Sequence, residues 1–197
     1  MIKAIIFDVG GVYMQGSFVD FVNQSRQILG INETFYVDKL IVFDKRYNSG
    51  EISIEECFRS YFGVEINDDQ MKQIINVWTN TWKPTPEMID LVINLKKNYR
   101  LAILSNSDPV NSENYTRLGW YQYFDPIILS HEVHLLKPDK RIYEITLEKL
   151  GLKPEECLFI DDQADCLVPA ADMGMSVIQF RSVPQLKAEL DALLSVK

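Results

Sequence analysis

The fold is decided by one stretch near the start of the chain, Ile2-Lys3-Ala4-Ile5-Ile6-Phe7-Asp8-Val9-Gly10-Gly11-Val12. It runs apolar, interrupted only by Lys3, into the carboxylate of Asp8, and two glycines follow. Such a nearly continuous apolar run is typical of a central parallel strand that helices cover on both faces. Open α/β sheets bind ligands at the carboxyl ends of their strands. A strand-ending aspartate also commonly caps a loop, but here we expect Asp8 at a binding edge, where a nucleophile would sit.

Further apolar runs predict the rest of the sheet, and helical patterns at 85–97 and 140–150 separate some of them. Strands that alternate with helices imply repeated right-handed crossovers and a parallel sheet. The predicted fold class is therefore α/β, with a doubly wound, Rossmann-like core. The predicted strands are Ala4 to Asp8, Leu101 to Ser105, Ile127 to Leu129, Cys157 to Asp161 and Ser176 to Phe180.

Residues 17–83 interrupt this alternation with amphipathic patterns and no convincing strand. We expect a small helical bundle inserted between the first two core strands, and Pro84 and Pro86 mark the return to the core. The predicted domains are a core of 1–16 and 84–197 and an inserted helical domain of 17–83. The apolar residues at helical spacing include Phe18, Phe21, Val22, Ile28, Phe35, Leu40, Phe43, Met71, Ile74, Ile75 and Trp78.

Composition narrows the possible partners of the chain. It has 197 residues, with 20 Lys and Arg against 28 Asp and Glu, which gives a net charge of −8. Because no run of basic residues offsets this charge, we expect no nucleic-acid binding. The length suits one core carrying a small insertion, as a monomer or a homodimer.

Cysteine usage and hydropathy indicate the compartment. Cys57, Cys157 and Cys166 are an odd number without paired spacing, which favours buried reduced thiols over disulfides. No window reaches the roughly 18 consecutive apolar residues of a membrane span, and no cleavable leader is evident. We expect a cytoplasmic protein without membrane association.

Polar groups follow the predicted strands where each one ends. Ser105 and Asn106 offer a hydroxyl and backbone N–H groups at a strand-to-helix turn, which suits an anion, although capping would also explain them. Asp161 and Asp162 are adjacent acids at the same edge, and like charges there require a metal or a lysine. Lys137, which precedes a proline and a helix, is the candidate lysine.

Together these positions describe one chemistry. Asp8 supplies a nucleophile, Ser105 a donor to a phosphate oxygen, Lys137 a cation, and Asp161 with Asp162 a site for a hard cation. Phosphoryl transfer through an aspartyl-phosphate uses such a set. The combination is far more specific than any of its members.

At this point the chain resembles the haloacid dehalogenase-like hydrolase superfamily. The resemblance covers the whole core in the right order, and the helical insertion falls where this superfamily places its type-one cap. The matching motifs are Phe7-Asp8-Val9-Gly10-Gly11-Val12, Leu104-Ser105-Asn106, Lys137-Pro138-Asp139, and Phe159-Ile160-Asp161-Asp162 followed by Ala170-Ala171-Asp172-Met173-Gly174-Met175.

The resemblance implies a magnesium-dependent phosphatase of small phosphorylated metabolites, with Asp8 as the nucleophile. Ser105 and Lys137 would hold the transferring phosphoryl group, and Asn106 would add backbone and positioning contacts. These roles are what the family resemblance implies for these positions.

The resemblance also implies a ligand set for Mg²⁺. Asp8 and Asp162 would bind the ion directly, Asp161 would lie nearby or act through water, and the main-chain carbonyl of Gly10 would complete the set. Oxygen ligands of this kind suit magnesium.

Two positions depart from the family pattern. Gly10 stands where phosphatases of this superfamily usually carry an aspartate that acts as general acid and base, a role worth about 10²–10⁴-fold. The chain could act on acidic leaving groups, use another proton carrier such as His131 or His134, or have weak activity. Cys166 stands where an Asn or Asp often supports the metal.

Two alternatives stay open. Gly10 is compatible with a metal-independent 2-haloacid dehalogenase, although Asp161 and Asp162 argue against that reading, because two unneutralised acids would raise the pKa of one of them. The chain could also be a non-catalytic binding or regulatory protein with this fold. A dehalogenase would need an aromatic halide pocket, for which the candidates are Tyr13, Phe18, Phe43 and Tyr47.

Overall fold

A computed structural model describes residues 1–31 and 45–194, and its centre is a parallel sheet of five strands. The strand order is β3-β2-β1-β4-β5, so the first strand lies in the middle. This confirms the predicted doubly wound α/β class. The strands are β1 (Ala4–Phe7), β2 (Arg100–Ser105), β3 (Ile127–Leu129), β4 (Cys157–Asp161) and β5 (Ser176–Gln179).

Helices connect the strands and cover both faces of the sheet. A short 3₁₀ turn, Pro154–Glu156, precedes β4, and residues 45–48 are also helical. The helices are α1 (Phe18–Leu29), α2 (Ile54–Phe62), α3 (Asp68–Thr81), α4 (Pro86–Leu95), α5 (Pro109–Arg117), α6 (Ser130–Val133), α7 (Lys140–Leu150), α8 (Ala164–Asp172) and α9 (Val183–Leu194).

Alternation along β1 divides the core into two apolar clusters. Ile5 and Phe7 join the cluster on one face of the sheet, while Ala4 and Ile6 join the other. All four side chains are fully buried, as expected for a central parallel strand. This packing holds the end of β1 in place, and Asp8 follows immediately.

The described helices of 17–83, called here the helical segment, pack around a third cluster. Phe21 lies at its centre, with its ring centroid 4.8 Å from Trp78 and 5.5 Å from Phe58. Val110 of α5 packs against the same cluster. The helical pattern predicted at Phe35, Leu40 and Phe43 lies outside the described residues.

The chain enters and leaves the helical segment at one point. The N–H of Gln15 donates to the carbonyl of Lys83 at 2.9 Å, and the N–H of Lys83 donates back at 3.0 Å. Gly16 follows where a Cβ atom would lie 2.5 Å from the carbonyl oxygen of Thr81. The division into a core of 1–16 and 84–197 and an inserted helical domain of 17–83 stays a prediction.

Among residues 1–31 and 45–194, no helix combines the length and the apolar character that a membrane crossing needs. The three cysteines are buried and unbridged, as the sequence predicts.

Candidate active site

Asp8 lies at the carboxyl edge of the sheet, directly after the central strand. Its N–H donates to the carbonyl of Ile160 on β4 at 2.9 Å, and the residue is 5% exposed. Phe7, one residue earlier, pairs with Ile103 on β2 and with Ile160 on β4. The ends of β2 and β4, which carry Ser105 and Asp161, therefore flank Asp8.

Lys137 reaches two of these carboxylates. Its Nζ lies 2.8 Å from Oδ1 of Asp8 and 2.6 Å from Oδ2 of Asp161, and its side chain is 2% exposed. Burial alone would lower the pKa of the ammonium group, but Asp8 and Asp161 outweigh it and raise that pKa above its ordinary value. Lys137 therefore stays a cation that holds Asp8 in one orientation.

The carboxylates of Asp8, Asp161 and Asp162 form a cluster whose ligand oxygens lie within 4.8 Å of one another. With Lys137 they carry a formal charge of −3 + 1 = −2. Burial, then the charge of Asp8, raises the pKa of Asp161 to about 6 and also raises that of Asp162. Crowded oxygen ligands with excess negative charge fit a divalent hard cation such as Mg²⁺.

The two adjacent acids have different surroundings. Oδ2 of Asp161 accepts from Lys137, and Oδ1 accepts from the N–H of Gln163 at 2.8 Å. Oδ1 of Asp162 is buried with no hydrogen-bond partner among the described residues. A buried carboxylate oxygen without a partner is costly, and a bound cation would satisfy it. The arrangement suits Asp162 as a direct ligand of the ion.

Gly11 makes room for Asp162. A Cβ atom at position 11 would lie 2.7 Å from Oδ2 of Asp162, and the backbone φ of +82° is in the left-handed region that favours glycine. The close approach of Asp162 therefore explains why glycine stands at position 11.

Gly10 leaves open space beside the nucleophile. A Cβ atom built there would meet no described residue within 4 Å. The lack of a general acid at this position stays a prediction. The carbonyl of Gly10 as a metal ligand stays a prediction.

Ser105 and Asn106 end β2 with different surroundings. Ser105 is 1% exposed and pairs with Leu129 of β3. The side chain of Asn106 is held by the backbone of Lys137: its Oδ1 accepts from the N–H at 2.7 Å, and its Nδ2 donates to the carbonyl at 3.0 Å. The clamp on Lys137 has no sequence signal, because 31 residues separate the partners.

The two histidines bind carbonyl oxygens near this edge. Nδ1 of His131 lies 2.9 Å from the carbonyl of Ser107, and Nδ1 of His134 lies 3.0 Å from that of Ser49. A carbonyl only accepts, so Nδ1 carries the proton in each ring. Their use as proton carriers stays a prediction.

Cys166 is buried on α8 beside the acids. Burial, then the charge of Asp161, raises the pKa of its thiol to about 11, so it stays protonated. A thiol is a weak hydrogen-bond donor and adds little support to a metal shell.

Asp108 is a buried residue whose environment the sequence does not reveal. It caps α5 by accepting from the N–H of Asn111 at 2.8 Å, the role that a strand-to-helix turn predicts. It also accepts from the hydroxyl of Tyr47 at 2.9 Å and from Nε1 of Trp78 at 3.3 Å, both in the helical segment. Local sequence gives no signal for these partners.

A family model described as haloacid dehalogenase-like hydrolase matches residues 2–174. The chain belongs to this family. The match includes all the residues of the candidate site, from Asp8 to Asp162. Membership makes the chain a hydrolase, in agreement with the resemblance seen in the motifs.

Relatives of this hydrolase include proteins named as phosphatases. The chain is 27% identical over 194 residues to glyceraldehyde 3-phosphate phosphatase of Methanocaldococcus jannaschii, covering 91% of this chain and 85% of that one. It is 35% identical over 103 residues to the protein of the same name from Methanothermobacter thermautotrophicus, covering 51% of this chain and 46% of that one. The second match thus spans less than half of the relative. These relatives support a phosphatase-like hydrolase.

Solved structures share the fold. A HAD family enzyme of Bacteroides thetaiotaomicron, in complex with magnesium and inorganic phosphate, superposes with a TM-score of 0.76 at 23% identity and covers 92% of this chain and 95% of that one. L-2-haloacid dehalogenase of Xanthobacter autotrophicus gives a TM-score of 0.68 at 21% identity, with 98% and 83% covered. At these identities the likeness establishes the fold alone.

Proposed function

We propose that this hydrolase is a magnesium-dependent phosphatase of a small phosphomonoester and that it acts through an aspartyl-phosphate on Asp8. One observation carries the proposal: Asp8 bonds a buried ammonium at 2.8 Å and belongs to an acid cluster suited to a divalent cation. A carboxylate so placed can attack a phosphorus atom while positive charge on both sides balances the phosphate.

The protein groups divide the work in the proposed reaction. Lys137 bonds Oδ1 of Asp8, and Oδ2 is the proposed attacking atom. The bond from this oxygen to phosphorus forms as the bond to the ester oxygen breaks, and the ester oxygen takes a proton from solvent and leaves as the alcohol. Water then attacks the phosphorus and gives up a proton to solvent, the bond from phosphorus to Asp8 breaks, and inorganic phosphate leaves. Ser105 and Lys137 would hold the oxygens of the phosphoryl group throughout.

The proposed metal ligands are Asp8, Asp162, the carbonyl of Gly10 and, nearby or through water, Asp161. Magnesium at this position would lower the repulsion between the phosphate and the carboxylates. The unpartnered Oδ1 of Asp162 supports this ligand set.

The helical segment is the proposed cap over this site, of the type-one class. It meets the core at the loop that follows Ser105, through Tyr47 and Trp78 on Asp108. A closed cap excludes water during attack and shapes the space for the substrate.

The dehalogenase alternative receives less support. The candidate aromatic residues divide between two clusters: Tyr13 packs in the core, with its ring centroid 5.0 Å from that of Phe124, while Phe18 and Tyr47 belong to the cluster of the helical segment. Phe43 lies outside the described residues. Halide displacement also needs no metal, so a dehalogenase site would leave the unpartnered Oδ1 of Asp162 unexplained.

The first test of the phosphatase proposal compares substrates whose leaving groups differ in acidity. Hydrolysis of acetyl phosphate, para-nitrophenyl phosphate and a sugar phosphate is measured for wild type and Asp8→Asn, each with magnesium and with chelator. We expect turnover that requires magnesium and falls about 10³-fold or more in Asp8→Asn. Asp69→Asn, the same change at an exposed position on α3, is the matched control and keeps full activity.

Two results would contradict the proposal. Phosphate release at the same rate in chelator as in magnesium would contradict the metal dependence. Release by Asp8→Asn at the wild-type rate would contradict the role of Asp8 as the nucleophile. Chloride release from 2-chloropropionate in chelator, together with no phosphate release, would favour the dehalogenase.

A further inference from the structure

Asp108 is a buried carboxylate that joins two parts of the molecule. It is 4% exposed and accepts four hydrogen bonds, two at each oxygen. The N–H and Nδ2 of Asn111 donate from α5 at 2.8 and 3.0 Å. The other two donors, Tyr47 and Trp78, belong to the helical segment.

We propose that Asp108 is a positioning residue that couples the helical segment to the loop of residues 105–108, and through it to the phosphate site. The inference rests on the proposed phosphatase function for the identity of the ligand. Asp108 does not touch the reacting atoms in this proposal. It acts by fixing where the loop after β2 lies relative to the proposed cap.

The loop before Asp108 is bonded at each residue. Asn106 clamps the backbone of Lys137, as described above. The N–H of Ser107 donates to Oγ of Ser130 at 2.9 Å, and that hydroxyl donates to the carbonyl of Asn48 at 2.6 Å. A loop tied to Lys137 on one side and to the helical segment on the other would transmit a shift of either.

The cost of burying a carboxylate gives the coupling its strength. Hydrogen bonds to charged groups are stronger than those between neutral groups, and a buried charge that loses its donors is penalised further. A movement of the helical segment that withdraws Tyr47 and Trp78 would leave Asp108 with donors from Asn111 alone among those described here. The arrangement in which all four donors are present is thereby favoured.

Three variants distinguish the proposed positioning role of Asp108 from simple attachment of the helical segment to the core. Tyr47→Phe removes one donor and keeps the ring, and Asp108→Asn places an amide N–H₂ against N–H or O–H donors. Asn114→Ala is the matched control, because Nδ2 of Asn114 donates to the carbonyl of Thr79 at 3.0 Å and so joins α5 to α3 without touching Asp108.

The primary readout is affinity for inorganic phosphate in the presence of magnesium, measured by calorimetry, with KM and kcat for para-nitrophenyl phosphate beside it. We expect Tyr47→Phe and Asp108→Asn to weaken phosphate binding and raise KM about tenfold, the effect of one hydrogen bond to a charged group. kcat should change less than KM. Asn114→Ala should stay within about twofold of wild type for each constant.

Hydrogen exchange supplies a readout that needs no ligand. Amide exchange at Ser107 and Asn111 should be faster in Tyr47→Phe than in Asn114→Ala, although both variants lose one contact between the helical segment and the core. Should Asp108→Asn fail to fold, Tyr47→Phe carries the test.

The outcomes distinguish the two proposals. Unchanged phosphate affinity and unchanged exchange in Tyr47→Phe, or an equal loss in Asn114→Ala, would overturn the role of Asp108. If wild type binds phosphate but turns over no substrate, the phosphatase proposal is wrong. The phosphate affinities of the variants would then still test the role of Asp108. Wild type that binds no phosphate would overturn both.

Discussion

At the scale of single residues, the proposed function leaves the alcohol without a side-chain proton donor at Gly10. A Cβ atom there meets no described residue within 4 Å, and the backbone is outside the left-handed region, so Gly10→Asp should fit without strain. We expect this variant to hydrolyse a sugar phosphate about 10–100-fold faster than wild type, part of the usual value of general acid catalysis. Steady-state rates on acetyl phosphate, whose leaving group needs no proton, should change by less than about threefold.

The residue introduced by Gly10→Asn has nearly the size of aspartate but no acidic proton, so this variant is the control for the gain. Equal acceleration by Gly10→Asn, or acceleration that is the same for acetyl phosphate and the sugar phosphate, would argue against a general-acid role for an aspartate at position 10.

The acids and the lysine could be predicted from the sequence because each stands directly at or beside the end of an element. Parallel strands end at one edge, so Asp8 and Asp161 had to meet once β1 and β4 were recognised. The partners of Asp108 could not be predicted in this way. Tyr47 and Trp78 lie 61 and 30 residues away, on helices whose packing no local pattern specifies.

At the scale of elements, Asn106 joins the end of β2 to the segment that precedes α7. Asn106→Ala removes both hydrogen bonds to the backbone of Lys137, and we expect the free energy of unfolding to fall by about 1–3 kcal/mol. Urea unfolding monitored by tryptophan fluorescence would measure the change.

A loss of affinity for phosphate should accompany it, because Lys137 would no longer be held. Asn80→Ala is the control: its side chain is exposed and bonds within α3, so a change of about 0.5 kcal/mol or less is expected. Equal losses in the two variants would show that the clamp has no special role.

Elements were predictable where both ends carry a local signal. α7 begins and ends where the sequence predicts, since Asp139 caps its start and Gly151 adopts the left-handed conformation after its end. α4 is shorter than its pattern of 85–97, because Thr85 is the cap before the helix and the helix ends at Leu95. Periodicity alone does not locate such an end.

At the scale of the whole molecule, we expect the acidic site to lower the free energy of unfolding of the metal-free protein, because its like charges repel one another. Its formal charge of −2 is confined by burial at one edge of the sheet. Asp162→Asn removes one negative charge, so we expect the metal-free protein to melt a few degrees higher than wild type. We expect magnesium to raise the Tm of wild type, and the same variant should lose that rise.

Thermal unfolding with chelator and with magnesium measures both effects. Asp69→Asn again serves as the control for a charge change on the surface. A variant that melts lower without metal, or that still responds to magnesium as wild type does, would contradict the proposed ligand.

The reciprocal hydrogen bonds between Gln15 and Lys83 have a consequence for how this architecture can diversify. These two bonds join a residue before the first helix of the helical segment to a residue after its last helix. An insertion anchored in this way can be lengthened, shortened or exchanged for another without moving β1 or β2, because the closure of its ends does not depend on its contents. If the helical segment is the cap that we propose, the groups that react and the groups that select the substrate lie on stretches of the chain that can change separately.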